Sequence, residues 1–538
     1  MQESFQYSNN LHIADRIPIP SLTVEQQIYR RLPTIIVATV DKFARPPFEP
    51  KASALFGNVQ YHHCIYGYYR QYQPVSQQKD SNGHPSPSGS SQARLYQQLP
   101  HSIENVDLIL QDELHLVEGP LGSLVGAYET AIDFLSGEGK DYPIKYIAST
   151  ATIRRAKEQI QSIFLRRLQL FPPHGLDAND RYYVKERELH ALDDTTRGRL
   201  YVGICAPGRG PLTPIIRIYS RILESVWQQR RQFAINTYWT LTGYFNAIRE
   251  LAGARALYRQ DIPQRMNRIS GSNSRPISDE RGRVEELSSR TRSTDLPAIL
   301  NMLDRPYPDS PDMLFTTSMF GTGVDISRIG LMVVNGQPKT TSAYIQSTGR
   351  VGRSRGALVV TFLRASRPRD LNHYEFFVGY HRQLHRFVEP ATVYPFSPGV
   401  LERTVGPVSV FILRNMKGQT IDWYRDDTAP LMSNNRTSNS EVQTLPQIFE
   451  NRGQLQPRFR KPPLAVITHL VNSKLDKWQM VGANRPELRY VEYAMNRSPQ
   501  APVVLGDYQH KHAKRDVVYE NAPRSLRDIE ETTGFQVR

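Results

Sequence analysis

Short apolar runs that close on glycine or small polar residues recur through the middle of the chain. They are RLYVGICAPG (199–208), NTYWTLT (236–242), DMLFTTS (312–318), GLMVVNG (330–336) and GALVVTFLR (356–364). Each has the length and β-branched content of a strand, and segments of helical pattern lie between them. One of these, TPIIRIYSRILESVWQQR (213–230), predicts a helix with Thr213 as its cap and Pro214 at its first position. Strands that alternate with helices are joined by crossovers, so the expected fold class is α/β with a parallel sheet.

The preceding part shows the same pattern less completely. TIIVATVDKF (34–43) predicts a strand followed by a helix, and VDLILQDELH and PIKYIASTATI (143–153) predict two more strands. Between them QPVSQQKDSNGHPSPSGSSQ (73–92) has almost nothing to bury, which predicts a mobile surface insertion over about 73–98. YHHCIYGYYRQYQ (61–73) interleaves aromatic and basic residues, a pattern that suits either a stacking platform for bases or a tyrosine-rich strand pair. From about residue 401 the pattern loosens. DDTAPLMSNNRTSNSE (426–441) reads as a polar linker and HKHAKR (510–515) belongs to a basic tail. The expected organisation is a first α/β domain over 1–198, a second over 199–400 and an accessory region over 401–538.

A length of 538 residues accommodates two or three such domains. The formal charge of +15 favours a polyanionic partner such as nucleic acid, and it equally suits a basic surface kept for solubility. Two cysteines, Cys64 and Cys205, exclude a disulfide framework and a four-thiolate zinc site, and they fit a reducing compartment. The polar opening MQESFQYSNN and the lack of a membrane-length apolar window lead to the expectation of a cytoplasmic protein with no membrane partner.

Two stretches carry chemistry. In LILQDELHLVEGP (108–120) a strand delivers Asp112 and Glu113 at its carboxyl end, where open parallel sheets bind ligands. Such a pair suits Mg²⁺ and a hydrolytic water, and it equally suits a helix cap or a plain charged surface. In QSTGRVGRSRG (346–356) Arg350 and Arg353 each follow a glycine, three residues apart, which predicts two guanidinium groups on one helical face directed at phosphate. Ahead of it TTSMFGTGVDISRIG (316–330) places Gly321 and Gly323 where backbone can approach a ligand closely, with Asp325 available for a ribose hydroxyl. His381 and His385 stand four apart in GYHRQLH, a spacing compatible with zinc but without a third ligand, so packing on the second domain or contact with phosphate is the expected role.

In their order and separations DELH, STAT (149–152), TTSMFGTGVDI and QSTGRVGR resemble motifs II, III, V and VI of the superfamily 2 helicases, of the DExH type. A closer likeness, to the helicase subunit of the DISARM anti-phage defence system, runs through LPTIIVATVDKFA, QDELHLVEGPLGSLVGAYE, YFNAIREL, HYEFFVGYHRQLHRFVEP and ENAPRSLRDIE. The resemblance implies two tandem RecA-like domains, the first incomplete, and ATP-dependent translocation on or unwinding of DNA, with ATP and Mg²⁺ as cofactors. It implies that Asp112 serves the metal through water and Glu113 the attacking water. His115, Gly323, Asp325, Gln346 and Gly349 would bind nucleotide, with Arg350 and Arg353 at its phosphates and Arg353 as the arginine finger. Ser149 and Thr150 would couple nucleotide to nucleic acid, and Thr39, Lys42, Thr316 and Thr317 would contact the nucleic-acid backbone.

No G-x-x-x-x-G-K-[ST] phosphate loop occurs in the sequence; SGEGKDY (136–142) has aspartate where the hydroxyl belongs. In the helicases this loop lies upstream of the VATVDKF segment, which leads to the expectation of a chain that begins part-way through its first domain. The expected partners are single-stranded or partly duplex DNA, a separate chain supplying the phosphate loop, and another defence subunit. Two further readings stay open: a non-catalytic nucleic-acid-binding subunit or helicase remnant, and an RNA helicase.

Overall fold

The computed structural model describes residues 22–63, 67–70, 96–100, 105–138, 142–150, 156–171, 198–231, 235–280, 282–292, 294–317, 326–390, 392–491, 502–506, 517–520 and 522–524, with positions 103, 173 and 526. The chain forms two compact units. Unit 1 combines residues 1–151, 155–169 and 391–538, and unit 2 holds 152–154 and 170–390. The segment after 401, expected as a separate accessory region, therefore builds the same unit as the amino-terminal part.

Within unit 1 the described elements of the first part are α1 (Glu25–Arg31), β1 (Tyr61–His63), β2 (Gly67–Tyr69), β3 (Tyr96–Gln98), β4 (Leu108–Gln111), α2 (Gly119–Gly137), β5 (Lys145–Ala148) and α3 (Ala156–Ile163). β1 pairs antiparallel with both β2 and β3, so the tyrosine-rich stretch forms a strand pair, with His62 and Tyr68 in ring contact. Most of the expected insertion lies outside the described residues, and its end, Tyr96–Gln98, is a paired strand. β4 and β5 run parallel, Leu108 opposite Lys145 and Gln111 opposite Ala148. The strand expected over TIIVATV is not formed. Residues 35–39 carry no ladder, Ile35 and Val37 are exposed, and a 3₁₀ turn, Val40–Ala44, stands in place of the expected helix. A β-branched run becomes a strand only beside a partner strand, and none of the described strands pairs with it.

The later part of unit 1 contributes α11 (Pro398–Asn415), α12 (Met432–Asn435), α13 (Ser440–Gln454), α14 (Leu464–Asn484), β12 (Val503–Leu505) and β13 (Val517–Tyr519). Its packing centres on α2, which is buried almost all round and against which α11, α13 and α3 lie. Gly122 and Gly126, one helical turn apart, make this possible. A Cβ on Gly126 would meet Pro395 Cγ at 2.4 Å, and one on Gly122 would meet the Val117 carbonyl oxygen at 2.6 Å. With that face bare, residues 392–395 cross the helix, and the Gly119 N–H donates to the Thr392 carbonyl (2.9 Å) and the Tyr394 N–H to Ser123 Oγ (2.9 Å). The fully buried Arg414 then binds the amino-terminal part, donating to the Pro47 carbonyl (3.1 Å) as well as to that of Tyr424 in its own part (3.1 Å), and Arg70 donates back to the Arg414 carbonyl (2.7 Å).

The polar stretch 426–441, expected as a linker, is packed instead. Asp426 accepts from the Tyr490 N–H (2.9 Å), Asn439 caps α13 by accepting from the Val442 N–H (3.1 Å), and Glu441 accepts from the Thr420 N–H (2.7 Å) and Trp423 Nε1–H (3.1 Å). Its polar side chains satisfy backbone and indole donors inside the unit rather than solvent.

Unit 2 is a six-stranded, wholly parallel sheet in the order β6–β11–β10–β7–β9–β8. The strands are β6 (Arg199–Cys205), β7 (Leu241–Phe245), β8 (Val284–Leu287), β9 (Met313–Thr316), β10 (Leu331–Asn335) and β11 (Ala357–Leu363). Alternate side chains feed two cores. Leu241, Phe245, Met313, Phe315, Val333 and Val360 face α4 (Leu212–Gln228), α5 (Ile248–Arg259) and α6 (Asp261–Ser270). Tyr244, Leu314, Met332, Val334 and Val359 face α7 (Leu296–Asp304), α8 (Thr341–Thr348), and α10 (Phe377–Arg382), which follows α9 (Pro368–Glu375). Burial on both sides explains the continuous apolar runs.

Three local expectations shift. α4 begins at Leu212, so Thr213 lies inside the first turn and Pro214 one position further, still among the residues whose N–H has no helical acceptor. β7 starts at Leu241, after a 3₁₀ turn over Ile235–Tyr238. The charged β8, VEEL, gave no apolar signal. Among the described residues no helix is long and apolar enough to cross a membrane.

One buried acid makes unit 1 pH-sensitive. Glu129 of α2 is nearly fully buried and accepts from Tyr146 Oη of β5 (2.7 Å), while its neighbour Asp133 pairs with Arg452 of α13 (2.9 Å). Burial pushes Glu129 up to about 7 against the opposing pull of Arg452 and the Tyr146 bond. A raised acid pKa means that the folded state holds its proton after the unfolded chain has lost it. The contribution is therefore full below the ordinary value of 4.5 and declines as pH rises through about 7. In denaturant melts of wild type and Glu129→Gln, the variant should gain relative stability between those pH values, by at most a few kcal/mol. A pH-independent difference would contradict this.

Candidate functional site

In unit 1 the parallel register of β4 and β5 brings the residues that follow each strand side by side. The Ser149 N–H donates to the Gln111 carbonyl (3.0 Å) and the Leu114 N–H to the Ser149 carbonyl (3.0 Å), which continues the ladder past the strand ends. Ser149 Oγ donates to Asp112 Oδ1, and the Glu113 N–H donates to the same oxygen (2.9 Å). The Ser149 bond, then the Glu113 N–H, hold the exposed Asp112 carboxyl below the usual carboxylate range, so it is ionised at neutral pH. Glu113 sits in the left-handed region, φ 50°, and turns its carboxylate beside the buried His115 (Oε2 to Nδ1 3.4 Å); that nitrogen also lies 3.2 Å from Thr150 Oγ1. Asp112 with Ser149, and Glu113 with His115 and Thr150, thus form two short chains linking the DELH segment to the first two residues of STAT.

Gln159, a residue the sequence reading passed over, fixes the turn below this pair. Fully buried on α3, it donates from Nε2 to the carbonyls of Leu114 (3.2 Å) and Val117 (2.7 Å). Of the residues assigned to nucleic acid, Thr39 is exposed at the start of the 3₁₀ turn, and Lys42 is exposed and ion-paired with Glu25.

In unit 2 the QSTGRVGR segment is only partly helical. α8 ends at Thr348, and Gly349 caps it, so Arg350 and Arg353 stand on the loop that leads to β11 and not on a helical face. Gly352 at φ 73° turns that loop; a Cβ there would meet Ala357 Cβ at 2.6 Å. Arg199, at the start of β6, holds it from outside, donating from Nε to the Val351 carbonyl (2.7 Å) and from Nη2 to the Gly349 carbonyl (3.0 Å), the residues on either side of Arg350. Ser354 Oγ donates to the Ser327 carbonyl (2.8 Å) and the Gly352 N–H to that of Ile329 (2.8 Å). Arg199 opens the RLYVGIC run, and its charge at the edge of an apolar strand was the available signal.

Gln346 lies half-buried on α8. Thr316 is buried and donates its hydroxyl to the Leu287 carbonyl (2.9 Å), and the buried Thr317 gives its N–H to the same carbonyl (3.2 Å). Gly323 and Asp325 lie outside the described residues. His381 takes the packing role: its ring lies 4.7 Å from that of Tyr201, Nε2 pairs with Tyr344 Oη (2.9 Å) and Nδ1 with the Phe377 carbonyl (2.8 Å). Burial lowers its pKa, and among the described residues no group of three His, Cys, Asp or Glu is placed to hold a metal.

Residues 279–355, within unit 2, match the helicase conserved C-terminal domain. The chain is also 40% identical over 412 residues to the DISARM protein DrmA of Bacillus paralicheniformis, a match that covers 74% of this chain and 35% of that protein. The chain carries a helicase C-terminal domain and is similar to DrmA over about three quarters of its length. It spans about a third of the length of that curated relative. Among solved structures, the DUF1998 helicase MrfA bound to DNA and AMPPNP is similar over 76% of this chain and 43% of its own chain, at 15% identity and a TM-score of 0.46. The Mycobacterium smegmatis helicase Lhr bound to ssDNA and AMP-PNP is similar over 60% and 36%, at 14% identity and a TM-score of 0.40.

The hold of Arg199 on the 349–351 carbonyls is testable without any activity. In hydrogen-exchange mass spectrometry Arg199→Ala should speed exchange across 346–356 about tenfold, the scale of losing hydrogen bonds from a partly exposed cation, while β7, β9 and β10 keep their protection. Unchanged exchange in the loop would show that Arg199 does not position it.

Proposed function

We propose that this chain serves an ATP-dependent helicase or translocase of an anti-phage defence system, acting on DNA. The observation that carries the reading is the pair of contacts joining Asp112 to Ser149 and, through His115, Glu113 to Thr150, since an acid pair wired to a neighbouring strand end is what nucleotide-driven motion on nucleic acid requires. The helicase C-terminal domain and the likeness to DrmA support it.

The donor set at Asp112 suits Mg²⁺. It is an exposed, ionised carboxylate, and its described hydrogen bonds both end on Oδ1, which leaves Oδ2 for a metal-bound water. Mg²⁺, when bound with ATP, neutralises phosphate charge. Asp112 would hold the metal through water, and Glu113, steadied by His115, would orient the water that attacks. Ser149 and Thr150 would pass the state of the acids to the nucleic-acid side, with Thr39 and Lys42 at its backbone. In unit 2, Gln346, Gly349, Arg350 and Arg353 would serve the nucleotide, Arg353 as the finger that stabilises transferring charge, on the loop that Arg199 steadies. Foreign DNA is the proposed substrate, and a second defence subunit and a polypeptide supplying the phosphate loop are the proposed partners.

Phosphoryl transfer is catalysed almost wholly by positioning and charge stabilisation, and the acids cannot replace the backbone N–H groups and lysine of a phosphate loop because they share the sign of the nucleotide. ATP turnover by the chain alone should therefore be negligible. It should become DNA-stimulated when a polypeptide carrying the loop is fused or added, and fall by about 10³ to 10⁵ with Arg353→Ala. DNA-stimulated turnover by the unassisted chain, abolished by Glu113→Gln, would contradict the proposal, and a folded fusion that binds DNA yet hydrolyses nothing would favour the non-catalytic reading.

A further inference from the structure

The segment that follows β11 in unit 2 has an inward side that the fold uses and an outward side that it does not. Inward, Tyr380 is buried and His381 packs against Tyr201 and Tyr344. Outward, Tyr374, Phe376, Val378 and Phe387 are 40 to 62% exposed, and the rings of Phe376 and Phe387 meet edge to face with centroids 6.0 Å apart. Surface helices normally turn polar residues to water, and a cluster of exposed large apolar side chains on one short segment marks a contact surface.

Charge selects the occupant. Arg382 and Arg386 are exposed on the same segment. Lys339 and Arg369, also exposed, line a cavity of about 200 Å³ that reaches Phe387 and His373. The carboxylates on this segment are Asp370, buried and accepting from the Gln337 N–H (3.2 Å) and the Arg364 N–H (3.1 Å), Glu375, and Glu389, both of whose oxygens accept from the Thr341 N–H (2.9 Å each). Four cations around an exposed aromatic pair suit a polyanion with flat apolar faces along it, which is the chemistry of a nucleic-acid single strand: aromatic rings accept bases in any sequence while cations follow the phosphates.

We infer that α9, α10 and the turn to Phe387 form a binding surface for a nucleic-acid single strand, with bases stacked on Phe376 and Phe387 and phosphates held by Lys339, Arg369, Arg382 and Arg386. The inference rests on the nucleic-acid reading above and adds to it a surface outside the helicase motifs. It also gives that surface a route to the QSTGRVGR loop, because its inward residues grip the start of α8: Tyr380 Oη donates to Thr341 Oγ1 (3.1 Å), and Glu389 takes the Thr341 N–H.

The test is the affinity of the full chain for fluorescently labelled oligothymidylate and oligouridylate, the two arms separating DNA from RNA. Phe376→Ala combined with Phe387→Ala should weaken binding about tenfold or more, Arg382→Glu should weaken it and flatten its salt dependence, and Phe376→Tyr should restore it. Both rings are well exposed, so their truncation leaves the core intact; should the double variant still unfold, photocrosslinking of a 4-thiothymidine strand to the wild-type chain replaces it, with attachment expected within 374–387. Binding by wild type that the folded double variant retains within twofold, or crosslinks confined elsewhere, overturns the surface and leaves the helicase reading standing; the patch would then suit a protein partner. Absence of binding by folded wild-type chain overturns both.

Discussion

The hydrogen bond from Ser149 to Asp112 exists because two strands run parallel and end level with one another. Slipping β5 by a single residue against β4 would turn Ser149 to the other face of the pair and leave Asp112 with the Glu113 N–H alone. The register is held at both strands of the pair. Tyr146 of β5 reaches Glu129 on α2, and Gln159 on α3 ties down the carbonyls that follow Glu113. The candidate chemistry of unit 1 thus depends on the packing of α2, and α2 depends on the chain's last third. Gly122 and Gly126 admit residues 392–395, and Arg452 of α13 neutralises Asp133 one turn beyond Glu129.

Unit 2 meets a different constraint. A parallel sheet must be covered on both faces, and its six strands are covered by α4 to α6 on one side and by α7, α8 and α10 on the other. The arginine-bearing loop is consequently not held by a helix of its own but by the edge strand, through Arg199, and by carbonyls at 327 and 329. Such a loop is positioned yet movable, since its restraints are a few hydrogen bonds near the surface rather than buried apolar area.

Much of this was legible in the sequence where burial leaves a continuous apolar signature. β6, β9, β10 and β11 stand where their runs lie, and the DELH acids stand at a strand end. What escaped depended on partners distant in sequence. TIIVATV has the composition of a strand but no described strand beside it, and VEEL has the composition of a loop but sits at the edge of a completed sheet. The polar segment 426–441 looked like a linker because a run of polar residues does not show that its carboxylates will be buried against the Thr420 and Tyr490 N–H groups and the Trp423 indole. Gly349 was assigned to nucleotide binding; in the fold it ends α8, and Gly352 turns the loop, which moves both arginines off the helix. Arg199 and Gln159 left little trace, since one polar residue on an apolar element is as often a matter of satisfied packing as of positioning.

The central claim is that the acids and the STAT residues act as one device. It is tested most directly by measuring strand displacement and ATP hydrolysis together, in the protein supplied with a phosphate loop, for wild type and for Ser149→Ala combined with Thr150→Ala. If the two hydroxyls pass the state of Asp112 and Glu113 to the nucleic-acid side, displacement per ATP hydrolysed should fall at least tenfold while hydrolysis changes only about threefold, since Asp112 keeps the Glu113 N–H and its ionisation. Displacement and hydrolysis falling in the same proportion would contradict the claim and reduce the two hydroxyls to local structure.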